Sequence, residues 1–223
     1  MAASTEEIEN IDGMNAVERF LKRTGDILGA LIGLVVLSPL ILVVYIMQKA
    51  EGKGPAFFKQ ERIGLGGKPF YIYKFRTMVV DAEESGAPQL AVKEDKRLTK
   101  VGKFLREHHL DELPQLINIL KGEMSIVGPR PERPEIAAEY VKELPEFSLR
   151  LQAKPGLTGY AQVYGKYNTT PYDKLLMDLM YIGKPSLAED IKICFATVKI
   201  LFMPESTEGV SEGQTTAMSG ENH

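Results

Sequence analysis

A run of 21 residues without a charged side chain, from Ile27 to Met47, constrains the fold of this chain more than any other feature. A straight α-helix of that length measures about 31 Å, enough to cross the hydrocarbon core of a bilayer. Ser38 and Pro39 lie near its centre, and a proline inside a helix removes a backbone donor and bends the helix. Basic residues flank both ends of the run, and such flanks tend to stay in the cytoplasm; they are Arg19, Lys22, Arg23, Lys49, Lys53 and Lys59. We therefore expect residues 19–50 to form a re-entrant membrane helix, in preference to a straight span or a buried helix of a soluble protein.

The two ends of the chain differ in charge from the part between them. Residues 1–18 and 204–223 hold nine of the 30 acidic residues and none of the 27 lysines and arginines, which predicts two disordered tails. Residues 51–203 are long enough for one domain with a hydrophobic core. The basic charge left in the middle of the chain suits an anionic partner, such as phosphates or acidic lipids, although an ordinary mixed surface is an equal alternative. Nucleic acid is not expected, because no recognised binding motif accompanies this charge.

Periodicity and turn signals predict an α+β fold that is dominated by helices. Residues 56–62 and 69–78 have the pattern of two strands, and the glycine-rich turn between them gives a small antiparallel β-hairpin. A phosphate-binding loop is the weaker interpretation of this turn, because Pro69 rather than Ser or Thr follows Lys68. The predicted helices are 98–107, 113–121, 133–144, 170–182 and 186–203. The last of these is so apolar that it suits either the protein core or the membrane interface.

Adjacent carboxylates, Asp111 and Glu112, stand directly before one of these helices. Acids at this position commonly stabilise a helix N-terminus. An ionised carboxylate can also attack phosphorus or bind Mg²⁺, and adjacent helical residues point about 100° apart, so the two could take different roles. Arg130 follows in a rigid Gly-Pro-Arg-Pro turn, and its guanidinium group matches the geometry of phosphate oxygens. The sequence leaves both interpretations of the acid pair open.

About residues 19–203 resemble the bacterial polyprenol-phosphate phosphoglycosyl transferases of the monotopic type. The motifs that carry this resemblance are the flanked Ser38-Pro39 helix, Phe57-Phe-Lys-Gln60, Lys68-Pro-Phe70, Tyr73-Lys-Phe-Arg76, Asp95-x-Arg97, Leu110-Asp-Glu-Leu-Pro-Gln115, Leu120-Lys-Gly-Glu-Met-Ser125, Val127-Gly-Pro-Arg-Pro131, Lys154-Pro-Gly156, Gly159-x-Ala-Gln162 and Asp178-x-x-Tyr-Ile182. One departure is His108-His109, where relatives often carry a small hydroxyl pair. The resemblance implies a minimal catalytic unit without the additional N-terminal membrane helices of longer members.

The resemblance implies a membrane enzyme that initiates a capsule, exopolysaccharide, O-antigen or glycoprotein pathway. It would transfer a sugar-1-phosphate from a UDP-sugar to undecaprenyl phosphate, releasing UMP, on the cytoplasmic side of the bacterial inner membrane. Asp111 would be the nucleophile that forms a covalent intermediate in a ping-pong reaction, and Glu112 would bind Mg²⁺. Arg130 is the candidate phosphate-binding residue, and Lys59, Arg106 and Asp178 match other positions near the family's site.

Two alternatives to this function remain at the level of sequence. One is a non-catalytic, membrane-anchored interaction module in which the acid pair only caps a helix. The other is an enzyme that spans the membrane once and acts on its outer face. The segment 164–168 resembles that of family members that use galactose or glucose, which favours these sugars weakly over an N-acetylated one.

Overall fold

The computed structural model describes residues 14–52, 54–80, 82, 95–165 and 169–201. Over these ranges the chain has the predicted α+β fold, in which helices dominate and a small antiparallel hairpin is present. The α-helices are α1 (Ala16–Glu51), α2 (Lys100–Glu107), α3 (Gln115–Lys121), α4 (Pro134–Glu143), α5 (Tyr160–Tyr164), α6 (Pro171–Ile182) and α7 (Leu187–Leu201). The strands are β1 (Phe57–Ile63), β2 (Pro69–Phe75), β3 (Ser125–Val127) and β4 (Gly156–Thr158). Three 3₁₀ segments occupy Leu65–Gly67, Leu110–Glu112 and Pro145–Gln152. Most of both predicted tails lies outside the described residues.

Helix α1 contains the uncharged run, and by length and composition it is able to cross a membrane. Asn15 caps its first turn, and the helix continues through Pro39. Pro39 has no N–H to donate to the carbonyl of Val35, four residues earlier. The hydroxyl of Ser38 donates to that carbonyl instead, at 2.8 Å. The Ser-Pro pair therefore satisfies a carbonyl that a proline alone would leave unpaired in an apolar environment.

One face of α1 packs along the folded domain while the opposite face is exposed. Ala30 is buried in a core cluster of β2 and α3, and Val44 is buried with Phe75 and Leu105. Near its two ends, Arg23 donates to the carbonyls of α3, and Gln48 donates to the carbonyl of Arg76. The exposed face is apolar and includes Leu28, Ile32, Val35, Val36, Leu42 and Val43. The helix is thus built into the core on one side and free to contact lipid on the other.

Besides the hairpin, the domain has a second two-stranded sheet. Strands β1 and β2 pair antiparallel, with Lys59 opposite Tyr73 and Phe58 opposite Lys74. The predicted turn between them contains Gly66 and Gly67 at positive φ, so the turn interpretation of this segment is confirmed. Strands β3 and β4 pair in parallel and bring the start of the Gly-Pro-Arg-Pro turn against residues 154–156. A side chain at Gly128 would lie 2.2 Å from the carbonyl oxygen of Lys154, which explains the glycine at this position.

Helix α7 divides its apolar residues between two faces. Ile193 is fully buried in a cluster with Val127 and Tyr181. Ile191, Phe195 and Val198 are exposed on the other side. The sequence offered the core and the membrane interface as alternatives for this helix, and the inner face belongs to the core.

Candidate active site

The two adjacent acids lie in the 3₁₀ segment that links α2 to α3. His109 adopts a left-handed conformation (φ 54°), which ends α2 and redirects the chain into this segment. The α-helix that the sequence predicted from residue 113 begins at Gln115, so the acids stand one turn before it. Asp111 is buried, and the side chain of Glu112 is only 12% exposed. Both carboxylates are therefore largely withdrawn from bulk water.

Two cations from distant parts of the chain converge on this acid pair. The Nζ of Lys74 lies 2.7 Å from Oε1 of Glu112 and 3.8 Å from Oδ2 of Asp111. The guanidinium group of Arg130 donates to the same Glu112 oxygen at 2.6 Å. Arg130 remains 44% exposed, so part of its side chain also faces solvent. The structure thus brings Asp111, Glu112 and Arg130 together, and adds Lys74 to them.

The environment drives the pKa values of the two acids apart. Burial raises the pKa of Asp111 above its ordinary value, against the opposing charge of Lys74. Burial alone would also raise the pKa of Glu112, but Arg130 and Lys74 outweigh it and hold this pKa well below its usual range. Glu112 in turn raises the pKa of Arg130. Glu112 is therefore held as an anion. Asp111 is a buried carboxylate with less compensating positive charge, so the two acids suit different chemical roles.

Three other residues selected from the sequence make no ion pair with Asp111 or Glu112 within the described part of the chain. Lys59 lies on the opposite face of the hairpin from Lys74, with its Nζ 5.4 Å from the ring centre of Tyr73. Arg106 lies in the last turn of α2, where its charge contributes to lowering the pKa of Asp95. Asp178 is 1% exposed and accepts hydrogen bonds from Arg150 at 2.9 and 2.6 Å. Asp178 is therefore buried and paired with Arg150 within the fold.

Strand alternation is the signal that distinguishes Lys74 from Lys59. Side chains two residues apart share one face of a strand. Phe70 and Ile72 are both buried, so Lys74 continues the inward row of β2. Lys59 is paired with Tyr73, which belongs to the other row. Arg150 gave no comparable signal, because it lies in the 3₁₀ segment 145–152, which has no simple periodicity.

The oxygen atoms of the acid pair fit a hard cation such as Mg²⁺. No group of three or more His, Cys, Asp or Glu side chains is arranged to hold a metal within the described part of the chain. Mg²⁺ commonly uses one or two protein carboxylates and takes its other ligands from water and substrate phosphates. Glu112 and Asp111 match that donor set, and an anionic substrate could occupy Arg130 and Lys74 in place of Glu112.

An apolar cavity of about 200 Å³ adjoins Arg130. The segment 129–134, helix α4 and the 3₁₀ segment 145–152 contribute most of its lining. Arg130 belongs to its lining, whereas Asp111, Glu112 and Lys74 do not.

Comparison with known proteins shows the family of the chain. Residues 17–204 match the family described as bacterial sugar transferase. An N-acetylgalactosaminephosphotransferase from Aeromonas hydrophila, named for UDP-N-acetylgalactosamine and undecaprenyl phosphate, is 42% identical over 82% of this chain and 44% of its own length. A UDP-glucose:undecaprenyl-phosphate glucose-1-phosphate transferase from Klebsiella pneumoniae is 40% identical over 89% of this chain and 45% of its own length. An undecaprenyl-phosphate galactose phosphotransferase from Salmonella typhimurium is 40% identical over 82% of this chain and 40% of its own length.

The chain spans less than half of the length of these three relatives, and their names specify three different sugars. The matched region nevertheless includes the described domain and all of α1 except Ala16. The chain therefore belongs to the bacterial sugar transferase family.

Proposed function

We propose that this protein transfers a sugar-1-phosphate from a UDP-sugar to undecaprenyl phosphate and releases UMP. The observation that carries this proposal is the convergence of Lys74 and Arg130 on the pair Asp111 and Glu112. Two acids with opposed pKa shifts and two cations suit a phosphoryl transfer, because its catalysis depends on positioning and charge stabilisation. The names of the relatives support the same reaction class.

In the first half-reaction, a carboxylate oxygen of Asp111 attacks the phosphorus that carries the sugar. A new bond forms between this oxygen and phosphorus, and the bond from phosphorus to the bridging oxygen of the diphosphate breaks. UMP leaves with that oxygen and its electron pair. The positive charges of Lys74 and Arg130 offset the negative charge of the phosphates, which would otherwise repel the attacking carboxylate.

In the second half-reaction, a phosphate oxygen of undecaprenyl phosphate attacks the same phosphorus. The bond to Asp111 breaks, the carboxylate is regenerated, and the lipid diphosphate sugar is the product. The two substrates use one site in turn, so the reaction follows ping-pong kinetics. Mg²⁺ bound through Glu112 would neutralise the diphosphate and help UMP to leave.

The contacts of α1 support a re-entrant placement, and the basic residues on both sides of the uncharged run favour the cytoplasmic face of the inner membrane. Arg23 and Gln48 are separated by about 38 Å of helix, yet both bind the same folded domain. A straight span would put one of them on each side of the membrane. A helix that enters and leaves by one face keeps both ends with the domain, where a soluble UDP-sugar and the phosphate of a membrane lipid can both reach Asp111.

Galactose or glucose is the sugar that we propose, on the basis of the segment 164–168. Residues 166–168 of this segment lie outside the described residues. The relatives are named for glucose, galactose and N-acetylgalactosamine, so they support the reaction class more than the choice of sugar.

The first test is release of UMP from a panel of UDP-sugars by the full chain in detergent, with Mg²⁺ and undecaprenyl phosphate. Wild type and Asp111→Asn are compared, and circular dichroism confirms that the variant is folded. We expect release that requires the lipid and is lost in the variant. Turnover of N-acetylated donors alone would overturn the proposed sugar. No UMP from any donor would favour a non-catalytic membrane-anchored module, and full activity of Asp111→Asn would remove Asp111 as the nucleophile.

A further inference from the structure

The backbone around Arg130 is held at four successive carbonyl groups. The carbonyl of Pro129 accepts from the N–H of Gly156 at 2.9 Å, and that of Glu132 accepts from the N–H of Ile63 at 3.1 Å. Between them, the carbonyl of Arg130 accepts from Arg150 at 2.8 Å, and that of Pro131 accepts from Arg62 at 3.1 Å. Two of the four residues are prolines, which have no N–H. The carbonyl oxygens are therefore the main hydrogen-bonding groups of this turn, and each of the four accepts a hydrogen bond.

Arg150 stands at the centre of this arrangement. Its side chain is 3% exposed, and its guanidinium group also binds Asp178 at 2.6 Å and Glu132 at 3.3 Å. Lys174 binds the same oxygen of Glu132 at 2.8 Å. Asp178 and Glu132 together compensate the buried charge of Arg150, without which its burial would be costly. The hydrogen bond to the carbonyl of Arg130 is thus made by a guanidinium group that its neighbours hold in place.

The backbone and the side chain of Arg130 contact different groups. The carbonyl of Arg130 points to the buried network, while its guanidinium group reaches Glu112 at 2.6 Å. A rigid backbone on one side lets the side chain on the other side approach an anion with little loss of conformational entropy. The network therefore reaches the candidate active site through the backbone of Arg130.

We propose that Arg150 is a positioning residue for phosphoryl transfer, and that Asp178 acts through Arg150 rather than by binding substrate. This inference rests on the proposed function, in which Arg130 binds the phosphates of the donor. It gives Asp178 a different role from the one that the sequence resemblance implies. Loss of the Arg150 contact lets the 129–132 segment move, and Arg130 then meets the phosphates in a poorer geometry.

A double-mutant cycle separates positioning from a general loss of stability. Arg150→Lys keeps the charge beside Asp178 but removes the second arm of the guanidinium fork. We expect it to lower kcat/KM for the UDP-sugar by about 100-fold, the scale of a misplaced binding group. In an Arg130→Lys background, Arg150→Lys is expected to lower kcat/KM by less than about a further twofold, because the side chain that Arg150 positions is already altered. Asp178→Asn, which keeps a hydrogen-bond acceptor for Arg150, is run through the same cycle if Arg150→Lys does not fold.

Arg23→Lys is the matched control. Arg23 also holds backbone carbonyls, those of Ile119 and Leu120, but none in the segment of Arg130. Its effect on kcat/KM is expected to be additive with that of Arg130→Lys. Additive effects of Arg150→Lys or Asp178→Asn would overturn the proposal, and additivity for Asp178→Asn alone would favour its direct contact with substrate.

A second measurement does not depend on catalysis. Amide hydrogen exchange of the ligand-free protein is followed in the peptide that covers residues 127–133. We expect Arg150→Lys to raise the exchange rate of this peptide at least tenfold, and Arg23→Lys to leave it unchanged. Unchanged exchange in Arg150→Lys would overturn the proposal even in an active enzyme. If wild type released no UMP, the proposed function would fail, and the exchange result would still decide whether Arg150 holds the segment.

Discussion

Lys74 Nζ lies 2.7 Å from Oε1 of Glu112, which ties the second strand of the hairpin to the segment that carries both acids. These residues are 38 positions apart in sequence. The hairpin thus contributes a charged group to the site as well as apolar side chains to the core. Because side chains alternate between the two faces of a strand, Lys74 faces the acids and Lys59 does not. The two lysines can therefore be compared by mutation.

Lys74→Met is expected to reduce UMP release much more than Lys59→Met. A charge-assisted hydrogen bond contributes about 1.5–3 kcal/mol, which corresponds to a loss of roughly 10- to 100-fold for Lys74. Lys59 contacts Tyr73 on the other face of the hairpin, so its replacement removes no contact with the acids. Initial rates at saturating lipid, for both variants and wild type, make the comparison. An equal or larger loss for Lys59→Met would contradict this assignment of the two lysines.

A covalent intermediate on Asp111 should accumulate when the lipid acceptor is withheld. Incubation of the full chain with a UDP-sugar and Mg²⁺ is expected to release up to one UMP per protein and to add one sugar phosphate to the peptide that contains Asp111. Mass spectrometry of the intact protein and of its peptides detects this addition. Asp111→Asn should show neither event, whereas Glu112→Gln should form the adduct more slowly. Turnover that requires both substrates to be bound together would argue for direct transfer instead.

Glu132 should make stability depend on pH in the acidic range. Burial alone would raise its pKa, but Lys174 and Arg150 lower it to about 2 from an ordinary value of 4.5. A group with a lowered pKa in the folded state contributes stability above its unfolded pKa and loses that contribution as the pH falls through its folded pKa. The full contribution is roughly 3 kcal/mol.

The comparison that tests this is the free energy of unfolding of wild type and Glu132→Gln, measured between about pH 6 and pH 2. Wild type is expected to be more stable at pH 6, and the difference should shrink as the pH falls below about 4.5. Parallel curves for the two proteins would show that Glu132 keeps an ordinary pKa.

Asp26 should be important for stability although it lies on the membrane helix. Its Oδ1 accepts from the N–H of Ile126 at 2.9 Å and from the hydroxyl of Ser125 at 3.0 Å, and the side chain is nearly fully buried. Asp26→Ala leaves two buried donors unpaired and is expected to lower the free energy of unfolding by about 1–3 kcal/mol per donor. Asp26→Asn keeps one acceptor oxygen and should lose less. Chemical unfolding in detergent gives both values, and an equal stability of Asp26→Ala and wild type would contradict these hydrogen bonds.

Cysteine labelling tests the re-entrant form of α1. In a Cys194→Ser background, Ala16→Cys and Gly52→Cys place exposed thiols at the two ends of the helix, and no neighbouring atom obstructs a side chain at position 52. We expect a membrane-impermeant reagent to label both in inverted vesicles and neither in right-side-out vesicles. Val35→Cys, in the uncharged run, is the control that should stay unlabelled in both. Labelling of the two ends from opposite sides would establish a straight span.

Local patterns predicted much of this fold because the forces that form its elements are local. The hairpin follows from two short strands and a glycine turn, and the predicted boundaries 56–62 and 69–78 compare with Phe57–Ile63 and Pro69–Phe75. The last helix begins after Ser186, whose hydroxyl accepts from the N–H of Glu189 as a helix cap should. The start of α3 was less accurate, because Pro114 and the 3₁₀ segment delay the helix by two residues.

The candidate active site was predictable only where its residues are close in sequence. Asp111, Glu112 and Arg130 lie within about twenty residues and were selected from their spacing. Arg150 and Glu132 form a buried ion network, and their pairing depends on the packing of α4, α6 and the 3₁₀ segment 145–152. No local pattern predicts which distant acid will neutralise a buried arginine, because tertiary packing determines that pairing.

The way α1 packs also affects how relatives of this protein can be recombined. A membrane anchor on a flexible tether could be exchanged between proteins as an independent module. Here one face of the helix supplies Ala30 and Val44 to the domain interior, and Asp26 completes the hydrogen bonding of β3, the strand that leads to Arg130. A chimera with a foreign anchor would therefore need matching residues on the domain surface. Under the proposed function, the distance of Asp111 from the lipid layer would accordingly be set by the fold and not by a tether, and the enzyme would meet its lipid substrate by diffusion in the plane of the membrane.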